Sequence, residues 1–429
     1  MALDTSKNLR NAIIYSVYVR NYGKNGKFID VENDLQRVKD LGTDIIWFLP
    51  IHPIGELNRK GIKGSPYAIR DYREVNPEYG TLEDFKRLVD KIHQYGMKAM
   101  MDIVYNHTSP DSYLVKNRPE YFYKKPDGKI GNKVGDWSDI VDLDYNNKDL
   151  WRYQIETLKY WVQMGVDGFR CDVAPLVPIQ FWMQAREEIK KIKPDFIWLA
   201  ESVEASFILE LRKGGFIAHS DSEMYNAFDI CYDYDVHKYF KGYLMGEYTL
   251  KEYIEKVAQQ EYIYPDNYVK LRFLENHDQL RAAELIHDDI KLDIWTAYMY
   301  FQKGAVLLFN GQEAKDDHLP NLFNIDKVVW DGARDEFTSM LRRLAALKKT
   351  PIMAEGNYSI GVFDDKDVIV ITYEMGQEKL IGIFNVGLEN GTIQLPIEGG
   401  SYENLATGKF IHMENGELKL PYVPVIIRV

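Results

Sequence analysis

The chain has 429 residues, of which 45% are hydrophobic, so it can bury the core of one barrel-sized domain and of a smaller one. The net charge is −12 and no run of basic residues is present, which argues against binding to nucleic acid or to an anionic membrane, because phosphate groups require clustered Lys and Arg. A neutral or cationic ligand is therefore expected. The 30 Tyr, 19 Phe and 8 Trp suit a cleft that stacks flat ligands, although they fit a tyrosine-rich core as well.

The chain shows no pattern of a targeting or membrane segment. Residues 1–8 lack the basic region and apolar run of a signal peptide, and no apolar stretch approaches the roughly 20 residues of a membrane span. Cys171 and Cys231 offer neither a disulfide framework nor the spacing of metal ligands. We therefore expect a cytoplasmic protein, and nothing in the sequence indicates its oligomeric state.

Short apolar runs rich in Val, Ile and aromatic residues recur over residues 10–350, with longer amphipathic segments between them. This alternation is typical of a parallel sheet with crossover helices, and eight such runs predict an α/β fold, the (β/α)8 TIM barrel. The predicted strands are Ile13–Val19, Asp44–Leu49, Lys98–Tyr105, Gly168–Asp172, Phe196–Glu201, Met224–Phe228, Lys270–Glu275 and Ala305–Asn310. Helical spacing of apolar residues predicts helices that include Leu82–Tyr95, Leu150–Met164, Pro178–Ile192 and Leu250–Gln260.

Two regions depart from this rhythm. Residues 108–144 are rich in turn-forming and polar residues, so we predict a short insertion after the third strand, at the face where barrel loops build sites. After residue 350, alternating strands with turn signals predict a C-terminal antiparallel β-sandwich. The expected domains are a barrel of residues 1–107 and 145–350, an insertion of residues 108–144 and a sandwich of residues 351–429.

Ionisable and amide residues end four of the predicted barrel strands. In a barrel, the carboxyl ends of all strands meet at one rim. Each residue alone fits packing or a buried salt bridge, but four strands with such ends are hard to explain by packing. The residues are Asp102, Asn106 and His107, then Arg170 and Asp172, then Glu201, and finally Glu275, Asn276, His277 and Asp278.

These side chains favour acid/base and nucleophilic chemistry at an acetal, as in glycoside hydrolysis, because no Cys/His cluster or Gly-rich phosphate loop accompanies them. Period-2 alternation places Arg170 and Asp172 on one strand face and Cys171 on the other, where Cys171 acts as a small hydrophobe. The charge of Arg170 should favour the ionised form of Asp172. The apolar residues before Glu201 should raise its pKa and keep it protonated.

Four short motifs resemble, in order and spacing, the signature regions of the alpha-amylase superfamily of retaining glycoside hydrolases. They are Tyr105–His107, Gly168–Asp172, Leu199–Glu201 and Glu275–Asp278. The resemblance covers nearly the whole chain. It implies that the substrate is an α-glucan oligosaccharide and that the chemistry needs no cofactor.

The resemblance also implies roles for single residues. Asp172 corresponds to the nucleophile, Glu201 to the acid and then base, and Asp278 to the carboxylate that stabilises the transition state. Residues that correspond to sugar-binding positions are Tyr67, which would stack under the cleaved glucose, His107, Arg170, His277 and Arg281. Asp102 corresponds to an aspartate that we expect to be a structural partner of the rim.

The chain departs from the pattern of extracellular members in two places. Pro175-Leu176 stands where those enzymes have a Lys-His pair that serves the acceptor side and a structural calcium ion. Asn106 remains a candidate calcium ligand, and Asp136, Asp139, Asp142 and Asp144 could supply oxygens, but such loops are also commonly just solvated. The second departure is the short insertion, which predicts an open cleft.

Three functions remain open at this point. The first is a retaining α-glucan hydrolase that cleaves α-1,4 links of maltooligosaccharides or starch fragments. The second is a 4-α-glucanotransferase that uses the same glycosyl-enzyme intermediate. The third is a catalytically inactive binding subunit, which the presence of all three carboxylates disfavours.

Overall fold

Eight parallel strands close into a barrel, which confirms the predicted fold class. The computed structural model describes residues 4–135, 137–331, 335–363 and 366–429. Each strand pairs with the next in chain order, and the eighth pairs with the first. The strands are β1 (Ile13–Val17), β2 (Ile45–Phe48), β3 (Lys98–Ile103), β4 (Gly168–Cys171), β5 (Ile197–Ala200), β6 (Ile230–Tyr232), β7 (Val269–Arg272) and β8 (Ala305–Phe309).

Alternation along the strands builds two apolar layers. In β8, Ala305 and Leu307 point into the barrel, whereas Val306 and Leu308 pack against the surrounding helices. Cys171 lies in the outer layer, as the alternation predicts, and burial raises the pKa of its thiol well above the ordinary value. The polar residues that follow the strands are thereby held at the carboxyl-terminal rim of a packed core.

The predicted helices are all present, with small shifts at their ends. The α-helices are Val19–Tyr22, Phe28–Glu32, Leu35–Asp40, Leu82–Gln94, Tyr113–Asn117, Lys148–Gln163, Ile179–Lys190, Ala205–Lys213, Asp221–Met224, Tyr234–Leu244, Leu250–Ile263, Ala282–Leu285, Asp289–Phe301, Asp335–Lys348 and Pro351–Glu355. Short 3₁₀ helices span Lys7–Asn11, Pro119–Tyr121, Ala174–Leu176 and Gln312–Ala314. None of the helices in the described part of the chain has the length and apolar character to cross a bilayer.

The prediction of a sixth strand at Met224–Phe228 is wrong. A capping box of Ser220 and Glu223 starts a short helix that ends at Met224, and residues 225–227 form turns instead of a strand. The sixth strand is β6, only three residues long, and it lies six residues further along the chain. The other seven predicted strands coincide with β1–β5, β7 and β8.

The insertion between β3 and Lys148 has little regular structure. The two-residue strands His107–Thr108 and Val141–Asp142 pair with each other and bring its two ends together. Between them lie the helix Tyr113–Asn117 and one 3₁₀ turn. We call residues 108–144 the excursion, and their extent as a separate domain remains a proposal.

The C-terminal region consists of antiparallel strands, as predicted. The strands are β9 (Asn357–Phe363), β10 (Val368–Met375), β11 (Glu378–Asn385), β12 (Thr392–Gln394), β13 (Gly400–Glu403), β14 (Phe410–Met413), β15 (Glu417–Lys419) and β16 (Val425–Arg428). One sheet has the order β9-β10-β11-β16, and two-stranded sheets join β12 with β15 and β13 with β14. A separate apolar cluster, which includes Val368, Ile383 and Val425, packs between these sheets.

Candidate active site

A cavity of about 330 Å³ opens at the carboxyl-terminal rim of the barrel. Five of the residues that the resemblance assigns to catalysis or sugar binding line it, namely Tyr67, His107, Asp172, Glu201 and Asp278. They come from the segments after β2, β3, β4, β5 and β7. The structure therefore brings together side chains that lie up to 211 positions apart in the chain, from Tyr67 to Asp278. The cavity is also lined by Lys60, Trp137, Asp139, Val173, Leu322 and Phe323.

The guanidinium group of Arg170 joins three carboxylates beneath the cavity. Its Nη1 donates hydrogen bonds to Asp102 Oδ1 at 2.9 Å and to Asp172 Oδ1 at 2.9 Å. Its Nη2 lies 2.7 Å from Glu201 Oε1, at an angle too poor for a hydrogen bond, so this contact is an ion pair. The Arg170 side chain is 0% exposed, so it holds the carboxylates in place and does not itself face the cavity.

Burial and mutual repulsion raise the pKa of both central carboxylates to about 7. For Asp172, burial raises the pKa, Arg170 opposes the rise, and Asp102 adds to it. For Glu201, burial again comes first, Arg170 opposes it, and Asp172 adds to it. Arg170 favours the ionised form of Asp172, as expected, but it also favours the ionised form of Glu201, and burial outweighs it at both residues. The two carboxyl groups therefore titrate as a coupled pair near neutral pH.

Asp102 is fully buried and connects the carboxylates to the aromatic wall. It accepts hydrogen bonds from Arg170 and, at 3.1 Å, from the hydroxyl of Tyr67. The Tyr67 hydroxyl also lies 2.6 Å from His277 Nε2, and the two rings stack with centroids 5.5 Å apart. Asp102 thus has the structural position that the sequence predicts, and Tyr67 has one face left for the cavity.

Asp278 is the most exposed of the four carboxylates that line the cavity, with 44% of its side chain accessible. Burial alone would raise its pKa, but the neighbouring His277, 3.1 Å away, lowers the pKa below the usual value. The contact also raises the pKa of His277 against the effect of burial. Asp278 is therefore ionised at neutral pH, and His277 reaches the site through Asp278 and Tyr67.

His107 faces Asp172 across the cavity, with Nε2 3.9 Å from Asp172 Oδ2. Burial lowers its pKa, so it is neutral at pH 7. The amide nitrogen of Asn106 lies 3.2 Å from His107 Nδ1 and 3.3 Å from Asp142 Oδ1, which orients the ring. A neutral His107 can donate or accept a hydrogen bond with a sugar hydroxyl.

Val173 adopts a left-handed backbone, with φ 35° and ψ 44°, directly after Asp172. This conformation is unfavourable for a β-branched residue and is typical of functional sites. It directs the Val173 amide to Glu201 Oε2 at 2.8 Å. The nucleophile candidate and the acid candidate are thus connected by one peptide unit as well as by Arg170.

Arg281, which the resemblance places among the sugar-binding residues, lies inside the protein. Its guanidinium is fully buried and donates to Glu275 Oε1 at 2.6 Å, to Asp316 Oδ2 at 3.2 Å and to backbone carbonyls. Glu275 also accepts the amide of Ala282. Arg281 therefore fixes the loop that carries Asp278 and does not line the cavity.

The described residues do not form the calcium site considered from the sequence. Asp142 accepts the Lys133 amide and the Asn106 side chain, and Asp139 pairs with Lys60. Asp144 caps the turn at Asn146, and Asp136 lies outside the described residues. No group of three or more His, Cys, Asp or Glu side chains in the described ranges could hold a metal ion. The side-chain nitrogen of Asn106 donates to Asp142 Oδ1, so these two candidate ligands are hydrogen-bonded to each other.

Several residues near the site escaped the sequence interpretation. The rings of Trp47 and Tyr232 flank Arg170 at 5.2 and 5.5 Å. Alternation along β2 predicts that Trp47 points into the barrel. Tyr232 ends β6, so the wrong position of the predicted sixth strand leaves it out. Trp137 and Phe323 come from loops, where no sequence pattern marks them.

Comparison with family models decides the relationship. A model described as the alpha-amylase catalytic domain matches residues 14–137 and 134–338, and the bacterial alpha-amylase C-terminal domain model matches residues 359–427. The chain belongs to the alpha-amylase family. Catalysis in this family needs no cofactor.

Two solved structures of family members are similar over their whole length. An alpha-amylase from Lactobacillus plantarum is 48% identical, with a TM-score of 0.96, and the match covers 99% of this chain and 100% of that one. A noncanonic maltogenic alpha-amylase from Thermotoga neapolitana is 37% identical, with a TM-score of 0.87, and the match covers 98% and 99%. The barrel and the C-terminal sheets therefore form one architecture with known alpha-amylases.

Curated relatives in the same family include transferases. The alpha-1,4-glucan:maltose-1-phosphate maltosyltransferase of Picrophilus torridus is 31% identical over 423 residues, which cover 91% of this chain. The match spans 63% of that enzyme and 33% of the corresponding enzyme of Cereibacter sphaeroides. Family membership thus leaves hydrolysis and transfer as alternatives.

Proposed function

We propose that the protein is a retaining α-glucan hydrolase that cleaves α-1,4-glucosidic bonds of maltooligosaccharides or starch fragments. One observation carries the proposal: Asp172 and Glu201 both contact the guanidinium of Arg170 at the floor of the cavity, where burial raises the pKa of each carboxyl group. One protonated and one ionised carboxyl group are what glycoside cleavage requires. Their contact with a single guanidinium favours the close spacing of a retaining pair, about 5 to 5.5 Å.

In the first step, Glu201 protonates the glycosidic oxygen while ionised Asp172 attacks the anomeric carbon. The bond between that carbon and the leaving oxygen breaks, and an ester bond to Asp172 forms. Asp278, ionised because of His277, stabilises the positive charge that develops on the sugar. Tyr67 offers a ring to the sugar's apolar face, and neutral His107 offers a nitrogen to its hydroxyls.

In the second step, Glu201 acts as a base. Having given its proton to the leaving group, Glu201 is ionised, so it takes a proton from water as the water oxygen attacks the anomeric carbon. The ester bond to Asp172 breaks and both carboxyl groups return to their starting state. The amide of Val173 and the guanidinium of Arg170 hold Glu201 in place through both steps.

A 4-α-glucanotransferase is the second candidate, because one feature favours transfer. The wall beside Glu201 includes an apolar side chain: Val173, whose amide donates to Glu201, packs against a cluster that includes Leu176 and Ile208. An apolar acceptor side disfavours water and favours a sugar as the second nucleophile. The similarity to maltosyltransferases supports the same alternative.

Product analysis on maltotriose separates these functions. Hydrolysis gives only shorter sugars from the start, whereas early and abundant oligomers longer than maltotriose would favour the transferase. A second profile on maltoheptaose, with and without a chelator, should be the same in both conditions, since the described residues form no calcium site. Absence of any turnover, with the Asp172→Asn variant as background, would leave only the binding subunit.

A further inference from the structure

A loop after β2 forms an arch over one side of the cavity. We define the arch as residues 55–64. On one side it is bound to the excursion, because Lys60 Nζ lies 3.0 Å from Asp139 Oδ1 and the Glu56 amide donates to Asp111 at 3.0 Å. Lys60 and Asp139 both line the catalytic cavity, so this ion pair is part of its wall.

On its other side the arch is bound to the loop after β8. The Lys63 amide donates to the Phe323 carbonyl at 2.9 Å, and the Ile62 amide donates to Asn324 Oδ1 at 2.9 Å. Gly61, with φ 65°, allows this approach, since a Cβ atom there would lie 2.6 Å from Phe323 Cβ. Arg20 reinforces the junction by donating to carbonyls of both loops, Gly64 at 3.1 Å and Leu322 at 3.0 Å.

The position of the arch on the barrel identifies the end of the substrate that it meets. β2 and β8, whose loops form the arch and one of its two attachments, flank β1, and β3, which precedes the excursion, comes next to β2 in the ring. Glu201 follows β5, which stands opposite β1 in the ring of eight strands. The acid must lie on the side of the leaving group, which is the reducing-end part of the glucan. The glycone therefore extends from Glu201 toward β1, and the arch stands at its non-reducing end.

We propose that the arch closes the cavity at the non-reducing end of the glucan, so that the enzyme binds chains by that end and releases short products of fixed length. This inference rests on the proposed function. The Lys60–Asp139 pair determines the specificity, because its ammonium and carboxylate groups can hydrogen-bond the free terminal hydroxyl that an internal glucose lacks. A chain whose next glucose occupies that hydroxyl meets the arch instead and leaves polar groups of the wall unpaired.

Charge and burial make this pair suited to recognition. Asp139 is 7% exposed and Lys60 is 38% exposed, so the pair is partly shielded from water and its hydrogen bonds are stronger than on an open surface. The short excursion predicts an open cleft, but the arch lies over one side of the cavity. The excursion and the loop after β8 hold the arch from its two sides.

The test compares nitrophenyl maltoheptaoside with the same compound blocked at its non-reducing terminal hydroxyls by an ethylidene group. Chromatography of the initial products gives both rates. We expect the blocked substrate to be cleaved at least roughly tenfold more slowly, which corresponds to about 1.4 kcal/mol. Equal rates on both would overturn this inference and leave hydrolysis in place. No cleavage of either would instead contradict the proposed function.

Two variants of the arch test the specificity pair. Lys60→Ala should raise the ratio of blocked to unblocked rates toward one, whereas Lys63→Ala should leave the ratio unchanged, because Lys63 Nζ pairs with Glu78 and does not line the cavity. Asp139→Asn keeps the shape of the side chain and serves as a second probe. If neither Lys60→Ala nor Asp139→Asn changes the ratio beyond the Lys63→Ala control, the pair does not determine specificity.

Discussion

Two buried clusters of cations and carboxylates lie on different faces of the barrel. In the active site, one cation, Arg170, contacts Asp102, Asp172 and Glu201. On the outer face of β7, two cations share three carboxylates: Lys270 pairs with Asp221 and Asp235, and Arg272 pairs with Asp233. We call these five residues the outer cluster. The outer cluster is surrounded by helices, whereas the active-site cluster opens onto the cavity.

The two clusters differ in charge balance and in access to the cavity. In the outer cluster, Lys270 and Gln260 lower the pKa of Asp235 despite its burial, whereas burial raises the pKa of Asp233 and raises that of Asp221 to about 6. In the active site, burial raises the pKa of Asp172 and of Glu201 to about 7, and the single guanidinium that they share with Asp102 offsets only part of this rise. Of the two clusters, the active-site one has the larger deficit of positive charge and opens onto the cavity, where its carboxyl groups can exchange a proton with a substrate.

The sharpest test of this comparison is Asp172→Asn. This variant removes the proposed nucleophile from a preformed site, so kcat on maltoheptaose should fall by roughly 10⁴-fold or more. The fold should remain intact, because Arg170 still has Asp102 and Glu201 as partners. Turnover and circular dichroism measure the two effects, and near-normal hydrolysis by the variant would refute the assignment.

Glu201→Gln should have a large effect that depends on the leaving group. Loss of the acid should slow cleavage of maltooligosaccharides strongly, but much less so for a dinitrophenyl maltoside, whose leaving group needs no proton. The ratio of the two kcat values, in variant and wild type, is the measurement. Asp172→Asn is the control, since loss of the nucleophile affects both substrates, and an equal loss on both in Glu201→Gln would contradict the acid role.

Lys270→Met should destabilise the protein without changing its chemistry. The substitution leaves Asp221 and Asp235 buried with too little positive charge, which should lower the free energy of unfolding by roughly 3 to 5 kcal/mol. Lys98→Met removes an exposed pair with Asp195 and should cost less than about 1 kcal/mol. Denaturant titration compares the two. A lower kcat in the remaining folded Lys270→Met enzyme would show that the outer cluster contributes to the site.

A further expected effect is on stability as a function of pH. Burial raises the pKa of Asp172 from its ordinary value of 3.8, and that of Glu201 from 4.5, to about 7 in the folded protein, so between these limits the folded state binds more protons than the unfolded state. The free energy of unfolding should therefore fall as pH rises from about 4 to about 7. Asp172→Asn should reduce this slope and melt above the wild type at pH 8, with the difference shrinking at pH 5. A lower melting temperature of the variant at pH 8 would contradict the raised pKa.

The sequence predicted the fold and the three carboxylates because both depend on local patterns. Hydrophobic alternation located seven of the eight barrel strands, and strand ends carry Asp172, Glu201 and Asp278 to one rim. The sixth strand was misplaced because the capping box at Ser220 was not recognised and β6 is too short to show a period.

Other features depend on distant contacts that no local pattern records. Arg281 matched a family position, yet its role follows from Glu275 and Asp316, which are close only in the folded chain. Likewise, Lys60 and Asp139 lie 79 positions apart in the chain, and neither belongs to one of the four family motifs. The contrast expected between Asp172 and Glu201 failed for the same reason, since Arg170 reaches both.

The backbone of Val173 has a consequence for how this site can change by mutation. A left-handed conformation costs a β-branched residue on the order of 1 to 3 kcal/mol, whereas Gly or Asn adopts it with little strain. The backbone amide of residue 173, which donates a hydrogen bond to Glu201, would be present with any residue except proline. The presence of Val at this position therefore indicates that its side chain, which forms the apolar wall beside Glu201, outweighs the conformational cost. We expect Val173→Asn or Val173→Gly to relieve the backbone strain and to make the wall beside Glu201 less apolar. These variants are therefore a starting point for changing the balance between water and sugar as the acceptor.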